Sequence, residues 1–209
     1  MVAEAGHSLR GYADEARYAL SLRSLPPRVV LFLMRARRHA LRSGDRFSLD
    51  SAIRPRELRA LLSLSRGRRA VVELGTGTGW SAITLALGDR ARRVRTYDPC
   101  VRPEREAYLD RAWPAVRARI ELRNQADNLG PPEGEGERVE LLFVDSSHDR
   151  ESVMGAFRAW RESLVPGAIV AFHDYDHPSY PGVREAIDEL GLSGHQDGGL
   201  FVWSAEGER

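Results

Sequence analysis

The chain has 209 residues, of which 42% are hydrophobic and 29% charged, and its formal net charge is +1. These proportions suit one compact domain and exclude wholesale disorder and fibrous repeats. The single cysteine, Cys100, excludes an intrachain disulfide and a thiolate-rich metal site. The apolar run from Val29 to Met34 is far shorter than the ~20 residues of a membrane span, and no signal-peptide pattern precedes it, so we expect a cytoplasmic protein.

All 31 basic residues in the Lys+Arg count are arginines, because the chain contains no lysine. A guanidinium group stays protonated, so Schiff-base chemistry, a P-loop lysine and a lysine general base are excluded. Residues 1–69 hold 15 arginines against 6 acidic residues, whereas residues 70–209 hold 16 against 24. The favoured interpretation is a basic arm packed on an acidic domain. The alternative is a basic surface for RNA, anionic lipid or a phosphorylated substrate.

From position 70 onward, short apolar runs alternate with amphipathic stretches, which predicts βαβ units and a parallel sheet covered on both faces. The predicted strands are 70–74, 94–97, 119–122, 139–144 and 168–172. The predicted helices between and after them are 80–87, 104–118, 150–164 and 182–190. A two-glycine link at 198–199 is too short for a parallel crossover, so 192–197 and 200–204 are predicted to form a closing antiparallel hairpin.

Two or three helices are predicted ahead of the sheet, including 27–41 and 56–64. We expect residues 1–66 to form a helical cap and 67–209 to form the ligand-binding domain, as a single compact unit. The apolar part of helix 27–41 favours burial against the core or a second copy over a membrane surface, and a homodimer through these helices is compatible with it. The stretch 130–137 is predicted to be a surface loop.

The most specific signal is a strand that runs into three alternating glycines, Gly75, Gly77 and Gly79, and then into a helix. Glycines let the backbone approach a ligand closely, and free N–H groups at the start of a helix suit an anion. The dinucleotide fingerprint Gly-x-Gly-x-x-Gly requires a third glycine at position 80, which is Trp80. A nicotinamide oxidoreductase is therefore the less favoured enzyme class, and no Tyr-x-x-x-Lys motif is present.

The pattern Glu73-x-Gly75-x-Gly77-x-Gly79, continued by Trp80-Ser81, resembles class I S-adenosylmethionine (SAM) dependent methyltransferases over about residues 50–204. The glycine turn is most similar to that of the catechol-type O-methyltransferases, which implies a doubly wound, seven-stranded, mostly parallel α/β sheet. Further along the chain, Asp145-x-x-His148 and the sequence His173-Asp174-Tyr175, followed by 181–183 (Pro-Gly-Val), resemble the sugar and natural-product O-methyltransferases. The resemblance implies that the turn holds the methionine part of SAM and that Ser81 helps to bind its carboxylate. The cofactor-binding residues expected on this basis are Glu73, Gly75, Thr76, Gly77, Gly79, Ser81, Asp98, Gln125, Ala126 and Asp127.

Asp98 ends the second predicted strand, 19 residues after Gly79. This is near the distance at which an acidic residue reaches a ribose diol in nucleotide-binding βαβ folds. The alternative for a lone aspartate at a strand end is a helix N-cap.

Polar residues gather after the fourth and fifth predicted strands, where ligands of open α/β sheets bind. Asp145 and His148 follow the fourth strand, and His173 and Asp174 follow the fifth. The resemblance implies a divalent metal, Mg²⁺, Mn²⁺ or similar, at Asp145, His173 and Asp174. His173 departs from the carboxylate usual in that family, which shifts the preference toward Mn²⁺, Fe²⁺ or Zn²⁺, or indicates that the metal was lost.

His148 is the predicted general base, because an imidazole with a pKa near 6.5 is largely neutral at working pH and accepts a hydroxyl proton. Asp145 is predicted to act with it in catalysis. The alternative role for His148 is to cap the next helix, although Asp149 suits that position better. Tyr175 and Tyr180 are predicted to line the acceptor pocket, with loop packing as the alternative.

The sequence thus predicts a SAM-dependent O-methyltransferase that acts on a hydroxyl of a small molecule, such as a sugar, phenol or natural product, with metal assistance. The N-terminal helices are expected to cover SAM and to shape the pocket. The alternatives are metal-independent N- or O-methylation and SAM binding without turnover. Neither a nucleic-acid partner nor a membrane span is predicted, although RNA methylation stays open as a minor alternative because of the basic N-terminal part.

Overall fold

A computed structural model describes residues 9–132 and 138–205. The predicted loop at 130–137 therefore lies in part outside the described residues. Within these ranges the helices are Leu9–Ser21 (α1), Pro27–Ser43 (α2), Arg46–Ser51 (α3), Pro55–Leu64 (α4), Trp80–Gly88 (α5), Arg105–Leu109 (α6), Pro114–Arg117 (α7), Arg150–Trp160 (α8) and Pro181–Glu189 (α9). The strands are Ala70–Leu74 (β1), Arg93–Tyr97 (β2), Ile120–Arg123 (β3), Val139–Val144 (β4), Leu164–Phe172 (β5), His195–Asp197 (β6) and Leu200–Ser204 (β7).

The seven described strands form one sheet in the order β3-β2-β1-β4-β5-β7-β6. Neighbouring strands from β3 to β5 are parallel, whereas β7 pairs antiparallel with both β5 and β6. The strand order reverses between β1 and β4, and in open α/β sheets this switch point is where ligands bind. The predicted doubly wound sheet with a closing hairpin is confirmed.

Alternate residues of the central strands enter two cores, one on each face of the sheet. Val71, Leu141 and Phe143 pack toward α2, α4 and α5, while Leu74 and Leu142 pack toward α8 and α9. The period of two residues in a strand produces this division, since successive side chains point to opposite faces. Both faces are therefore buried, and only the two ends of the parallel strands remain for ligands.

Three element boundaries differ from the prediction for local reasons. The predicted helix 104–118 is divided into α6 and α7, because Pro114 has no N–H to continue a helix and favours extended backbone at Trp113. Strand β5 begins at Leu164, four residues earlier than predicted, and takes up the last residue assigned to the preceding helix. The first hairpin strand is limited to His195–Asp197.

Four helices precede the sheet among the described residues, and α2 and α4 share a hydrophobic core with it. Val29, Phe32 and Leu33 of α2 are buried in that core, so the apolar run is buried in part, while Leu31 is exposed. No helix in the described part of the chain has both the length and the apolar character that crossing a bilayer requires.

The turn after β1 presses directly against the chain at the end of β4. Gly75 has a φ of 99°, and a Cβ atom built there would lie 2.0 Å from the backbone oxygen of Asp145. Only glycine fits such a contact, because any side chain meets backbone that cannot move aside. This contact brings the glycine turn next to the polar residues that follow β4.

We expect Gly75→Ala to destabilise the protein by several kcal/mol, because it adds both backbone strain and a backbone clash. Gly44→Ala is the matched control: its φ is 73°, but nothing lies within 4 Å of the added carbon. Strain alone predicts a loss of about 1 kcal/mol there. Urea unfolding of both variants measures the difference, and similar losses would contradict the close approach of Gly75 to β4.

Candidate active site

A cavity of about 520 Å³ lies at the carboxyl ends of the parallel strands, beside the switch point. This volume falls within the usual range for pockets that hold small molecules. The glycine turn and the ends of β2, β4 and β5 line it, and α3 and the start of α4 cover it. Of the predicted site residues, those that line the cavity are Gly75, Thr76, Gly77, Gly79, Ser81, Asp98, Asp127, Asp145, His148, His173, Asp174 and Tyr180.

Four predicted site residues do not line this cavity. Glu73 is fully buried in β1, beneath the turn, and Gln125 donates a hydrogen bond to the Gly130 carbonyl at 2.7 Å. Ala126 lies beside Gln125, outside the lining set, and Asp127 is the residue of that segment that reaches the cavity. Tyr175 packs against Phe201, with ring centroids 4.9 Å apart. The structure therefore corrects the expectation that Tyr175 lines the acceptor pocket.

Burial determines the protonation state of the Glu73 carboxyl group. Desolvation, opposed in part by hydrogen bonds from Ser81 and Thr96, raises the pKa of Glu73 to about 8. The carboxyl is therefore mostly neutral at pH 7. The Thr96 hydroxyl donates to Oε2 at 2.5 Å, whereas Oε1 is buried without a hydrogen-bond partner among the described residues. Glu73 supports the turn from below, and its contact with Ser81 also fixes the second residue of α5.

Asp98 is held in place by the glycine turn and by a buried arginine. Its Oδ2 accepts a hydrogen bond from the Gly77 N–H at 2.9 Å, and its Oδ1 accepts one from the Cys100 N–H at 2.7 Å. Arg105, whose side chain is 3% exposed, lies 3.4 Å from Oδ2 and donates to the Gly77 and Cys100 carbonyls at 2.9 and 2.7 Å. Oδ2 accepts from two donors, but Oδ1 accepts from only one, so Asp98 can still accept from a ribose hydroxyl through Oδ1. The sequence pattern gave no signal for Arg105.

The ends of β4 and β5 bring four ionisable side chains together. The Nδ1 atom of His173 lies 2.9 Å from Asp145 Oδ1 and 3.3 Å from Asp174 Oδ2. The Nε2 atom of His148 lies 3.0 Å from the same Asp174 oxygen and 3.9 Å from Asp145 Oδ1. One ligand atom from each of the four residues fits within a span of 4.8 Å. We call these four residues the polar cluster.

The two histidine nitrogens in the polar cluster are close to carboxylates but poorly aligned for hydrogen bonding. His173 Nδ1 and His148 Nε2 are both buried atoms that make no well-formed hydrogen bond within the described residues. Asp174 has a φ of 55°, a left-handed conformation that is strained for a residue with a side chain. Such strain persists only where the surroundings enforce it, and it is common at functional sites.

The contacts within the polar cluster favour a protonated His173 and an ionised Asp174. Burial alone lowers the pKa of His173, but the facing carboxylates of Asp145, Asp174 and Glu57 outweigh burial and raise it to about 12. Burial likewise raises the pKa of Asp174, and the contacts with His148 and His173 more than reverse this, so the net shift is downward. A cation, either a proton on His173 or a metal ion, is therefore strongly favoured between the two aspartates.

Glu57 on α4 reaches the cluster from the N-terminal part of the chain, a contact that the sequence pattern did not reveal. Its Oε2 lies 3.1 Å from His173 Nε2 and also accepts the Arg54 N–H at 3.0 Å, as part of the capping box of α4. A carboxylate on one ring nitrogen leaves the other nitrogen directed at the cluster. Metal-binding histidines in proteins are commonly oriented in this way.

Helix α3 covers the glycine turn. Ser48 donates a hydrogen bond to the Thr78 hydroxyl at 2.8 Å, and Asp45 caps α3 through the Ser48 N–H at 2.9 Å. The same Asp45 accepts the Tyr108 hydroxyl at 2.5 Å. The Phe47 ring lies 3.6 Å from a Cβ atom built at Gly77. The cap thus contacts the turn through a small set of polar and aromatic groups.

An aromatic stack borders the acceptor side of the cavity. The His148 and Tyr180 rings are stacked with centroids 4.2 Å apart, and the His177 ring also stacks on Tyr180, with centroids 4.6 Å apart. The stack holds the imidazole of His148 in a fixed plane beside Asp174. Asp149, rather than His148, caps α8, since its side chain accepts the Ser152 N–H at 3.0 Å.

The donor groups fit both of the ligands that the resemblance implies. The glycine turn, the fixed Asp98 carboxylate and the buried, unpartnered indole N–H of Trp80 line a cavity of adequate size for SAM. For a divalent ion, two carboxylates and two imperfectly satisfied ring nitrogens converge on one point. Two nitrogen donors suit Mn²⁺, Fe²⁺ or Zn²⁺ better than Mg²⁺.

Comparisons with known proteins identify a methyltransferase domain and a methyltransferase fold. Residues 72–175 match a family model described as a methyltransferase domain. No curated protein matches the sequence. Among solved structures, the O-methyltransferase from Bacillus cereus in complex with SAH is 16% identical with a TM-score of 0.65, over 93% of this chain and 97% of that one.

Two further similar structures are natural-product enzymes. TomG from Streptomyces achromogenes, an O-methyltransferase of tomaymycin synthesis in complex with SAM, is 21% identical with a TM-score of 0.62, over 93% of this chain and 96% of that one. CalS11, described as a TDP-rhamnose 3′-O-methyltransferase, is 18% identical with a TM-score of 0.59, over 94% of this chain and 95% of that one. Residues 72–175 thus form a methyltransferase domain, and with the shared fold and the glycine-turn cavity the protein is a SAM-dependent methyltransferase.

Proposed function

We propose that this enzyme transfers a methyl group from SAM to a hydroxyl of a small molecule, with His148 as general base and a divalent cation at Asp145, His173 and Asp174. The observation that carries the proposal is the polar cluster, which borders the same cavity as the glycine turn. An acceptor hydroxyl in that cavity is within reach of both a base and a cation site. Bound SAM supplies an electrophilic methyl group on a sulfonium, which is already a good leaving group.

The glycine turn and Asp98 are assigned to the cofactor. The turn offers backbone N–H groups and the start of α5 to the carboxylate of the methionine part, while the Asp98 carboxylate accepts from the ribose hydroxyls. Ser81 is assigned to the same carboxylate, and its contact with Glu73 keeps its hydroxyl close to the helix start. Asp127 reaches the cavity from the segment assigned to the adenine.

His148 suits the role of base because of its position among the four cluster residues. Its side chain is 26% exposed, more than those of Asp145, His173 and Asp174, and it stacks on Tyr180 at the acceptor side. Because Nε2 faces Asp174, the other ring nitrogen, Nδ1, is assigned to accept the hydroxyl proton as the oxygen forms its new bond. The resulting imidazolium is stabilised by Asp174 at 3.0 Å.

Asp145, His173 and Asp174 are assigned to the cation, and Glu57 orients His173 through its second ring nitrogen. A divalent ion at this position supplies Lewis acidity that lowers the pKa of a bound hydroxyl. The three protein groups provide the charge and direction for such an ion. The nitrogen of His173 favours a transition metal over Mg²⁺.

A metal-independent transfer is the second candidate, and one specific observation favours it. His173 already lies within 3.3 Å of both aspartates, so a protonated imidazole balances their charge without an added ion. In that case the His148 imidazole alone prepares the acceptor. Loss of activity with a chelator separates the two candidates.

The acceptor class is proposed from the cavity and from the relatives. The stack of His148, Tyr180 and His177 offers flat aromatic surface to a ring. CalS11 is described as acting on TDP-rhamnose and TomG as acting in tomaymycin synthesis. We assign a sugar, phenol or related natural product as the acceptor.

The N-terminal helices are proposed to cap the cofactor and to mediate a homodimer. Phe47 and Ser48 of α3 line the cavity, which supports a cap formed by residues 1–66 over a methyltransferase domain at 67–209. Leu20, Leu31 and Leu41 are 63%, 43% and 48% exposed on α1 and α2, which suits association with a second copy.

We expect His148→Gln to lower kcat by about 10² to 10⁴-fold, because it removes the proton acceptor while keeping a polar side chain. His177→Gln is the matched control, since this second histidine stacks on the same tyrosine but lies outside the polar cluster. Turnover on a panel of sugars and phenols is measured by SAH formation, with SAH affinity measured by calorimetry. A His148 variant as active as the His177 variant would rule out the assigned base.

We expect Asp145→Asn to abolish transfer while leaving SAH affinity within about twofold, because this carboxylate is assigned to the acceptor side. EDTA is expected to inactivate the native enzyme, and Mn²⁺ is expected to restore it. A collapse of SAH binding in the variant would show that Asp145 serves the cofactor instead. Full activity after EDTA dialysis would select the metal-independent candidate.

A further inference from the structure

A second cavity of about 430 Å³ lies at the opposite end of the sheet from the active site. Its walls come from the loop between α1 and α2, the end of α4 and the segment from the end of α5 to the start of β2. No residue lines both cavities. The amino ends of the parallel strands lie at this edge, so the methyl-transfer chemistry does not use it.

Four arginines line this second cavity, against a single aspartate. Arg23 comes from the α1–α2 loop, Arg59 and Arg66 come from α4 and the turn after it, and Arg92 precedes β2. Arg59 lies on the face of α4 that also carries Leu62 and Ser63, as expected for a helical spacing of three or four residues, and Arg66 follows in the turn after the helix. Gathering like charges in a concave surface is unfavourable unless an anion offsets them.

Arg92 places a permanent charge in the floor of the cavity. Its side chain is 1% exposed and donates to the Arg68 carbonyl at 3.0 Å, the Leu85 carbonyl at 2.6 Å and the Ser65 carbonyl. Gly88 leaves room for it, since a Cβ there would lie 2.8 Å from Arg92 Nη1. None of the carboxylates in the described ranges forms an ion pair with this guanidinium. A buried charge normally has a counter-ion, and here Asp89 in the same cavity attracts Arg92 without forming an ion pair, so positive charge predominates in the cavity.

The three other guanidinium groups are available to a ligand. Arg23, Arg59 and Arg66 are exposed, and their side chains form no ion pair or hydrogen bond with any residue that the structure describes. Ser24 and Ser63 add hydroxyl donors, while Leu25, Pro26 and Leu62 give an apolar wall. Forked guanidinium donors with hydroxyls match the oxygens of a phosphate group.

We propose that this cavity is a binding site for a small molecule that carries a diphosphate group, held by Arg23, Arg59 and Arg66 above the buried Arg92. A concave volume of this size fits a small ligand better than a nucleic-acid backbone, which requires an extended basic stripe. The first turn of α4 carries Glu57 at the active site, and its last turn carries Leu62 and Ser63 at this cavity. A ligand in this cavity therefore contacts the same helix, α4, that orients His173 through Glu57.

The test is calorimetry of the full-length protein with inorganic pyrophosphate and, separately, with ADP at low ionic strength. Saturating SAH is present throughout, so that the cofactor cavity is blocked. We expect saturable binding with one site per chain. A tighter affinity for ADP than for pyrophosphate would show that the apolar wall binds the organic part, and equal affinities would identify the diphosphate alone as the ligand group.

The variant Arg59→Gln/Arg66→Gln is expected to weaken pyrophosphate binding by about tenfold or more, since it removes two charge-assisted contacts. Arg23→Gln, in a different segment, is expected to weaken it as well. Arg38→Gln is the matched control, because this exposed arginine of α2 lies outside the cavity. All these side chains are exposed, and thermal unfolding checks that each variant is folded.

Three results would overturn the proposal. The first is an absence of saturable heat with the native chain, and the second is binding by the double variant that equals binding by the Arg38 variant. The third is binding of RNA alone, with a steep dependence on salt, which would assign the arginines to a nucleic-acid surface. The methyltransferase activity does not enter this measurement, so failure here is separate from failure of the proposed function.

Discussion

The contact between Gly75 and the backbone of Asp145 is the constraint on which the site depends. The two residues end neighbouring parallel strands, and the absence of a side chain at Gly75 lets the strand ends meet at van der Waals distance. The cofactor turn and the polar cluster are therefore parts of one rigid edge. Their separation is set by backbone packing between β1 and β4, which is stiffer than any loop. In the proposed function, this edge holds the methyl donor at the turn next to the acceptor at the polar cluster.

His173 is the side chain through which the cap and the sheet influence each other. One ring nitrogen faces Asp145 and Asp174 at the edge of the sheet. The other ring nitrogen contacts Glu57 on α4, the last helix before the sheet. A carboxylate in place of this histidine would face Glu57 and both aspartates with like charge. The buried Glu57 carboxylate therefore depends on His173 as its partner, and His173 depends on Glu57 for its orientation.

The two cavities divide the charge of the molecule between them. The active-site edge carries the carboxylates that attract a cation, while the opposite edge carries arginines around the buried Arg92. The arginines of residues 1–69 therefore do not serve only to pack a basic arm on an acidic domain. Part of it is concentrated at one cavity, where the α1–α2 loop and the end of α4 meet the start of β2. Helix α4 spans the distance between the two edges.

Periodicity and punctuation in the sequence determined the fold class, the glycine turn and the strand ends that carry Asp98, Asp145, His148, His173 and Asp174, because these are local signals fixed by backbone geometry. Where a strand ends and where its neighbours lie in a doubly wound sheet follow from the same pattern. Only the tertiary structure decided the contacts that join distant segments: Glu57 with His173, Arg105 with Asp98, and the arginines around the second cavity. The packing of Tyr175 was likewise decided by the tertiary structure, because Phe201, its partner, lies on a strand 26 residues later in the chain. A one-dimensional pattern records which face a residue takes within its own element, and it does not record which other element will cover that face.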